Sequence, residues 1–175
     1  MSDRAVLTAI GADRPGLVEE VSEFVFARGG SIEDSRMANM QGQFAIMMVV
    51  GGTQQAIEQI ASDLDTLSLE AGLHAQLTPT GRAAAEVSPR LAYRLTGRAL
   101  DQSGLVHQVA NLLRSLDVNI ESMDTELEAA PVTGAPVFAM ELVIAVPQET
   151  PIQKLREELA ALCDALNIDW QLALL

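Results

Sequence analysis

The chain has 175 residues, of which 49% are apolar, and its formal net charge is −13. An apolar fraction this high is typical of a folded protein and excludes an intrinsically disordered one. With ten arginines and a single lysine, Lys154, the chain would be repelled by phosphate backbones and by anionic lipid, which disfavours direct nucleic-acid binding and a membrane surface.

The N-terminal residues lack the pattern of a signal peptide, and no apolar run reaches the roughly 18 residues that a bilayer span requires. Cys163 is the single cysteine, so we expect neither an intrachain disulfide nor a cysteine-based metal site. The cytoplasm is therefore the expected compartment, and no cofactor or metal is expected.

The chain contains an internal repeat. Gly16-Leu17-Val18 returns as Gly104-Leu105-Val106, 88 residues later, which is half the chain. Asp13 and Asp101 share the same offset. We therefore predict two domains, residues 1–80 and 91–175, joined by a linker over residues 81–90 that contains Gly81 and Pro89.

In the first copy, an alternating strand pattern over Ala5–Ile10 precedes a helical stripe that starts at Leu17. Gly29-Gly30 should end that helix. Two strands, Ser31–Met40 and residues 43–51, then flank Gln41-Gly42, a hairpin signal. Further elements complete the copy: a helix capped by Thr53 with apolar residues through Leu67, and a strand over residues 72–78.

The second copy repeats this order. The predicted elements are a strand over 91–98, a helix from Leu105, strands over 118–127 and 136–146, a leucine-striped helix and a strand over 168–174. Extra residues between Glu128 and Pro136 predict a longer hairpin loop. The order β-α-β-β-α-β predicts an α+β fold of two ferredoxin-like domains, each an antiparallel four-stranded sheet with helices on one face.

The strand Phe44–Val50 is apolar on both faces, although helices can cover only one face of such a sheet. Either the second face packs against the other domain or another subunit, or neighbouring side chains shield a central strand. We predict that this face is covered.

The segment from Gly11 to Val18 connects the first strand to the first helix. Gly11 could take a positive φ at the turn, Pro15 suits the first turn of a helix, and Asp13 could cap its free N–H groups. Gly16 leaves backbone amides accessible, and such a helix start can receive a carboxylate or phosphate.

These residues resemble a known family. The pattern is similar to that of an ACT domain, and in particular to the glycine cleavage system transcriptional repressor family, whose members are tandem ACT proteins without a DNA-binding domain. The resemblance covers both halves and rests on three matching stretches: Gly11-x-Asp13-Arg14-Pro15-Gly16-Leu17-Val18, Gly30-Ser31-Ile32-x-Asp34-Ser35-x-Met37 and Gly42-x-Phe44-Ala45. In the second copy Gln102-Ser103 replaces Arg14-Pro15.

The resemblance implies an amino-acid sensor whose ligand, with glycine among the candidates, binds at the loop after the first strand, between two ACT units. It also implies a homodimer and a protein partner such as a DNA-binding regulator. In the ACT arrangement the start of each second strand is expected beside the loop. The site residues implied in this way are Gly11, Asp13, Arg14, Pro15, Gly16, Leu17, Val18, Ile32, Asp101, Gly104, Leu105 and Asn119.

Each candidate also has a structural interpretation that stays open at this stage. Asp13 could hold a ligand's ammonium group or cap the helix. Arg14 could bind an anion or pair with Glu19 or Glu20. The amides of the first turn could receive a carboxylate or bond to water. Gln102-Ser103 offers a mobile side chain and a hydroxyl that could occupy the amides of the second copy, so we expect binding in the first copy.

The remaining chemistry-bearing residues do not form a catalytic set. His74 and His107 stand at non-equivalent positions, and Cys163 lies on the leucine stripe of the last helix, which favours a buried thiol. We therefore predict that the protein is not an enzyme. Two functions remain: an amino-acid-sensing regulator of transcription in amino-acid or glycine metabolism, and an ACT-type dimerisation module without a ligand.

Overall fold

A computed structural model describes residues 3–80, 89–130 and 134–175. The chain forms two compact units, residues 1–85 (unit 1) and 86–175 (unit 2). The predicted linker falls largely on residues 81–88, which lie outside the described residues, so the domain boundaries stay a prediction. The same holds for residues 131–133 of the long hairpin loop.

Unit 1 is an antiparallel sheet with strand order β2-β3-β1-β4 and helices on one face. Its elements are β1 (Asp3–Ala12), α1 (Leu17–Ala27), β2 (Ser31–Met40), β3 (Gln43–Gly52), α2 (Gln54–Ser62), α3 (Leu64–Ala71) and β4 (Leu73–Pro79). Unit 2 has the same architecture, with order β6-β7-β5-β8. Its elements are β5 (Arg90–Leu100), α4 (Leu105–Ser115), β6 (Asn119–Ala129), β7 (Pro136–Pro147), α5 (Ile152–Leu166) and β8 (Asp169–Leu174). The predicted pair of ferredoxin-like folds is confirmed.

Each unit has its own apolar core between sheet and helices. In unit 1, Leu7 of β1 and Ile60 of α2 are fully buried. In unit 2, Leu95 and Leu159 are fully buried together with Cys163. Full burial of one such leucine or isoleucine contributes about 1.5–3 kcal/mol. The prediction of a buried thiol at Cys163 is confirmed, and burial raises the pKa of this thiol to about 11.

The second helix predicted for unit 1 is two helices in the structure, because the backbone departs from helical geometry at Asp63. The Asp63 carboxylate accepts a hydrogen bond of 2.8 Å from Arg28, whose guanidinium also lies 3.8 Å from the ring centre of Phe24. That hydrogen bond lowers the pKa of Asp63. The break therefore ties the end of α1 to the α2–α3 junction. The predicted cap is confirmed, since Thr53 Oγ1 accepts from the Ala56 N–H.

Strand β3 alternates between a buried and an open face. Phe44, Ile46, Met48 and Val50 are buried under the helices, whereas Met47 is 55% exposed. The outer face of β3 is thus apolar and accessible in the described chain. Its predicted cover by another unit or another copy stays a prediction.

Candidate ligand site

The loop of residues 13–16 (loop 1) joins β1 to α1 at one end of the sheet of unit 1. Gly11 pairs there with Phe44 on one side and Leu73 on the other. A Cβ on Gly11 would stand 2.7 Å from the Gly72 carbonyl oxygen and 2.8 Å from the Leu73 side chain. Gly11 is therefore required for close approach to β4; the expected positive φ at this residue is wrong, because Gly11 remains in the strand.

Helix α1 begins one residue after Gly16, which has φ +97°. The expectation that Pro15 occupies the first helical position is therefore wrong: Pro15 lies in the preceding turn. The left-handed conformation of Gly16 rotates the chain from the turn into the helix, and L side chains adopt it only with strain. Glycine is needed here for its backbone, in addition to leaving the amides accessible.

Asp13 does not cap α1, so that interpretation is also wrong. The helix start has no side-chain cap within the described residues. Instead, the Asp13 carboxylate accepts a hydrogen bond from the side-chain amide of Asn39, and the Asp13 N–H donates to the Gly42 carbonyl at 2.9 Å. Loop 1 is thus held to the β2–β3 hairpin, with the second carboxylate oxygen of Asp13 and the side chain as a whole exposed.

The helix start presents backbone donors. The N–H groups of the first turn have no intrahelical acceptor, and among the described residues no side chain takes that role for Leu17 or Val18. Leu17 is buried, whereas Val18 is 51% exposed beside the loop. These amides, together with the positive end of the helix dipole, can bind a small anion. The helix dipole typically stabilises an anion at this position by about 0.3–1 kcal/mol.

Arg14 is committed to an ion pair. Its guanidinium donates to both carboxylate oxygens of Glu20, at 2.7 Å for Nη2–Oε2, and reaches the Ala71 carbonyl at 3.4 Å. The hydrogen bond between them raises the pKa of Arg14 and lowers that of Glu20. Arg14 therefore braces loop 1 against the end of α3, and an incoming carboxylate would have to compete with Glu20 for it.

The family comparison agrees with this geometry. A family model for the ACT domain matches residues 3–78, the span of unit 1 that contains loop 1. Unit 1 therefore contains an ACT domain.

A weaker similarity extends through both units. The glycine cleavage system transcriptional repressor of Escherichia coli (strain K12) is 27% identical over 162 residues, which cover 93% of this chain and 85% of that protein. Two crystal structures share the tandem fold at 23% identity. An unknown protein from Galdieria sulphuraria has a TM-score of 0.83, covering 100% of this chain and 99% of the other. A candidate glycine cleavage system transcriptional repressor has a TM-score of 0.74, covering 100% and 98%.

Unit 2 repeats the backbone of the loop but not its side-chain contacts. In the loop of residues 101–104 (loop 2), the Asp101 N–H donates to the Pro136 carbonyl at 3.1 Å, and Gly104 has φ +91°. Leu127 occupies the position of Asn39 in the repeat and is 61% exposed. Asp101 therefore has no amide partner equivalent to Asn39.

The expectation that Gln102-Ser103 covers the amides of loop 2 is not supported. Gln102 donates to the Leu166 carbonyl at 3.0 Å, at the end of α5, as Arg14 reaches Ala71 at the end of α3. Helix α4 has no side-chain cap within the described residues, and Leu105 at its start is buried. The two loops thus differ in the residue of the second strand that stands at the position of Asn39, which is Leu127 in unit 2, and not in the accessibility of the helix-start amides.

Ile32 and Asn119 do not lie beside the loop of their own unit, so their place in a site between two units stays a prediction. Ile32 pairs with Val50, opposite the first residues of β1, whereas loop 1 lies at the other end of the strands. Asn119 likewise pairs with Ala145 at the far end of unit 2. The antiparallel β2–β3 pairing fixes this placement, because β2 starts where α1 ends.

The described residues line two surface grooves, one away from the start of α4 and one that borders the first turn of α1. One of about 590 Å³ is lined in unit 2 by residues near the end of α4, among them Arg114 and Asn119. The other, of about 280 Å³, lies between α1 and α3 of unit 1 and is lined by Glu19, Glu23 and Glu70.

Within residues 3–80, 89–130 and 134–175, no group of His, Cys, Asp or Glu could hold a metal ion, and no helix is long and apolar enough to cross a membrane.

Sequence reasoning missed Asn39. A signal for it was available, because a two-residue turn at Gln41-Gly42 sets the hairpin register. That register places Asn39 opposite Phe44, which pairs on its other side with Gly11, two residues before Asp13. His74 and His107 are exposed, as expected of surface histidines.

Proposed function

We propose that this chain is a cytoplasmic, amino-acid-sensing regulator. It would control transcription in amino-acid or glycine metabolism through a protein partner. Three findings support it: the ACT-domain family, the similarity to an Escherichia coli protein named a glycine cleavage system transcriptional repressor, and the geometry of loop 1. The observation that carries the proposal is the Asp13 carboxylate, held by Asn39 beside a helix start without a side-chain cap.

The proposed ligand is an α-amino acid bound at loop 1. Its ammonium group would pair with the free oxygen of Asp13, and its carboxylate would accept from the amides of Gly16, Leu17 and Val18. Such a ligand carries an ammonium group and a carboxylate on the same carbon, so one molecule could reach both Asp13 and the amides of the helix start. Hydrogen bonds that involve charged groups are stronger than neutral ones, and the two ends of the ligand make one each.

The first unit is the proposed binding unit. Asn39 keeps the Asp13 carboxylate in one orientation, so less conformational freedom is lost on binding. Asp101 has Leu127 in that position and must be ordered by the ligand itself. Loop 2, with Asp101, Gly104 and Leu105, is therefore the weaker site.

Ile32 can contribute to loop 1 only from another copy. An antiparallel association of two β2 strands would bring the start of one strand to the end of the other, where Asn39 and loop 1 lie. Asn119 stands in the equivalent place on β6 and would need the same association in unit 2.

A protein partner, rather than DNA, is the proposed route to transcription. The net charge of −13 opposes the approach of a duplex, and a DNA-binding regulator would supply the basic surface. Sequence-selective binding of a DNA duplex by the purified chain at physiological salt would contradict this proposed route.

We also propose that the chain has no catalytic activity, since the loop offers one carboxylate and backbone amides without a base–nucleophile pair.

A thermal-shift screen of the purified protein against the twenty amino acids tests the proposal. A ligand at about 100 times its Kd stabilises the folded state by about 2.7 kcal/mol, which shifts the melting temperature by several degrees. We expect one amino acid, or a small related group, to produce this shift. If none does at millimolar concentration, the chain is an interaction module without an amino-acid ligand.

A further inference from the structure

The ion pair between Arg14 and Glu20 lies over the helix start of loop 1. A Cβ built on Gly16 would stand 3.5 Å from Glu20 Oε1 and 4.0 Å from Arg14 Nη1. Nη1 donates to Oε1, and Nη2 donates to Oε2 at 2.7 Å, so one guanidinium holds both carboxylate oxygens. A ligand that approaches the amides of α1 over Gly16 therefore meets this pair.

Glu20 does not cap α1, although it belongs to the first turn. Its two oxygens accept from Arg14, and within the described residues no side chain accepts from the N–H groups of Leu17 or Val18. Glu20 thus occupies the cation beside the helix start and leaves the backbone donors without a carboxylate.

The repeat shows that the fold does not need this pair. Gln102 and Gln108 stand 88 residues after Arg14 and Glu20. Gln102 keeps a contact with the end of α5, where it donates to a carbonyl at 3.0 Å, as Arg14 reaches the end of α3 at 3.4 Å. Helix α4 has no acidic residue in its first turn. The structural contact is therefore conserved between the units in neutral form, whereas the two charges are found in unit 1.

Both charged groups are accessible to water, so the pair can open. The side chains of Arg14 and Glu20 are 42% and 35% exposed. Exposed ion pairs contribute little net stability, because water solvates both groups when they separate. A guanidinium binds a carboxylate through two parallel N–H groups, and the carboxylate of an amino acid presents the same two oxygens as that of Glu20. One carboxylate can therefore replace the other on Arg14.

We propose that Glu20 is an internal competitor for the carboxylate site of loop 1. In the free chain, Glu20 occupies Arg14. A bound amino acid places its carboxylate between Arg14 and the helix-start amides, and Glu20 is released to water. This inference rests on the proposed function and adds to it the residue that sets the affinity.

The exchange also reaches the groove between α1 and α3. Glu20 and Ala71, the two residues that Arg14 contacts, both line this groove together with three further glutamates. When Arg14 binds the amino acid, the groove gains an unpaired carboxylate, and loop 1 loses its contact with the end of α3. Occupation of the helix start thereby changes the charge of a neighbouring surface.

A double-mutant cycle tests the competition. The parent and Glu20→Gln are screened against the twenty amino acids, and the one with the largest thermal shift in either protein is titrated by calorimetry into all variants. Glu20→Gln should bind it at least about fivefold more tightly than the parent, because Arg14 is then free. Arg14→Gln should bind it more weakly. With Arg14→Gln already present, Glu20→Gln should change the affinity by less than about twofold.

Glu19→Gln is the matched control. It removes the same charge from the same turn, at a side chain that forms no ion pair within the described part of the chain, and should keep the affinity within about twofold of the parent. A residue that only supports the fold of loop 1 would weaken binding when replaced, so the predicted gain for Glu20→Gln separates the two roles. Thermal melts without amino acid check that each variant is folded.

The outcomes distinguish this inference from the proposed function. If the parent binds an amino acid but Glu20→Gln binds it no more tightly, or gains as much without Arg14 as with it, the competition is overturned and the amino-acid site stands. If Glu20→Gln binds one at millimolar concentration and the parent binds none, the competition is supported and sensing by the parent is not. If neither protein binds any of the twenty, both proposals fail.

Carbon NMR of the Glu20 carboxylate gives a second test. Its ¹³Cδ signal, assigned by its loss in Glu20→Gln, should move at saturation with the amino acid toward its position in free Arg14→Gln, because in both cases the carboxylate has lost Arg14. The Glu19 signal should stay in place. A Glu20 signal that does not move at saturation would overturn the exchange.

Discussion

The side-chain amide of Asn39 donates a hydrogen bond to the carboxylate of Asp13, and so joins the end of β2 to the loop that precedes α1. This contact is the main difference between the two loops of the repeat, since Leu127 stands in the corresponding place of unit 2. It orients a charged group at the helix start without adding a net charge to it.

Asn39→Leu should make loop 1 resemble loop 2. We expect a loss of stability of about 0.5–1.5 kcal/mol, the usual net value of one hydrogen bond, and a lower affinity for the amino acid because Asp13 is no longer held. Urea denaturation and calorimetric titration measure the two effects. Leu127→Asn is the matched control: it should leave binding at loop 1 unchanged. If Asn39→Leu binds the amino acid as tightly as the parent does, Asn39 does not orient Asp13 for binding.

Gly16→Val and Gly104→Val should both destabilise their units, because φ is +97° and +91° at these residues. A β-branched residue in the left-handed region costs about 1–3 kcal/mol. Gly16→Asn should cost less, since Asn tolerates this region. Thermal melts of the three variants check this order. An unchanged melt for Gly16→Val would show that loop 1 adopts another backbone conformation in solution.

The ion pair of Arg14 with Glu20 gives stability a dependence on acid pH. The hydrogen bond from Arg14 lowers the folded-state pKa of Glu20 below its unfolded value. The contribution is therefore present above the unfolded pKa, about 4.3, and is lost as the pH falls through the folded pKa. Arg14→Gln should flatten the fall of melting temperature in that range.

Arg114→Gln is the control for this pH dependence, since it removes the same charge from α4 at a distance in sequence from Glu20. We expect its acid limb to match that of the parent. If Arg14→Gln and the parent lose melting temperature in parallel below pH 5, the Arg14–Glu20 pair does not contribute to folding.

The outer face of β3 can be tested by oxidation. Met47 on the outer face and Met37 on the helix face are both more than half exposed in the described chain, at 55% and 58%. If another unit or copy covers the outer face, dilute peroxide should convert Met47 to its sulfoxide several times more slowly than Met37, as peptide mass spectrometry would show. Equal rates would mean that the face is open in solution.

Much of the fold was predictable because it rests on local and repeated signals. The 88-residue repeat, the stripe from Leu17 and the turn at Gln41-Gly42 each predict an element, and the structure contains them all. The break at Asp63 was not predictable, since it depends on a hydrogen bond from Arg28, 35 residues away.

The site was predictable in part. The sequence indicates loop 1, but not that Asp13 bonds to Asn39 rather than to the helix start, because a cap and a loop-to-strand contact leave the same local pattern. The placement of Ile32 cannot be derived from one unit. The resemblance implies it for an assembly of two units, and within unit 1 the strand β2 starts at the opposite end of the sheet from loop 1. The role of Ile32 in the site stays a prediction.

Calorimetric titration of the amino acid that gives the largest thermal shift tests the central claim most directly. Asp13→Asn keeps the shape and the acceptor for Asn39 but removes the charge that pairs with an ammonium group. We predict at least tenfold weaker binding for Asp13→Asn, and affinity within about twofold of the parent for Asp101→Asn. Loss of binding in Asp101→Asn with Asp13→Asn unaffected would place the ligand in the second unit and contradict the account.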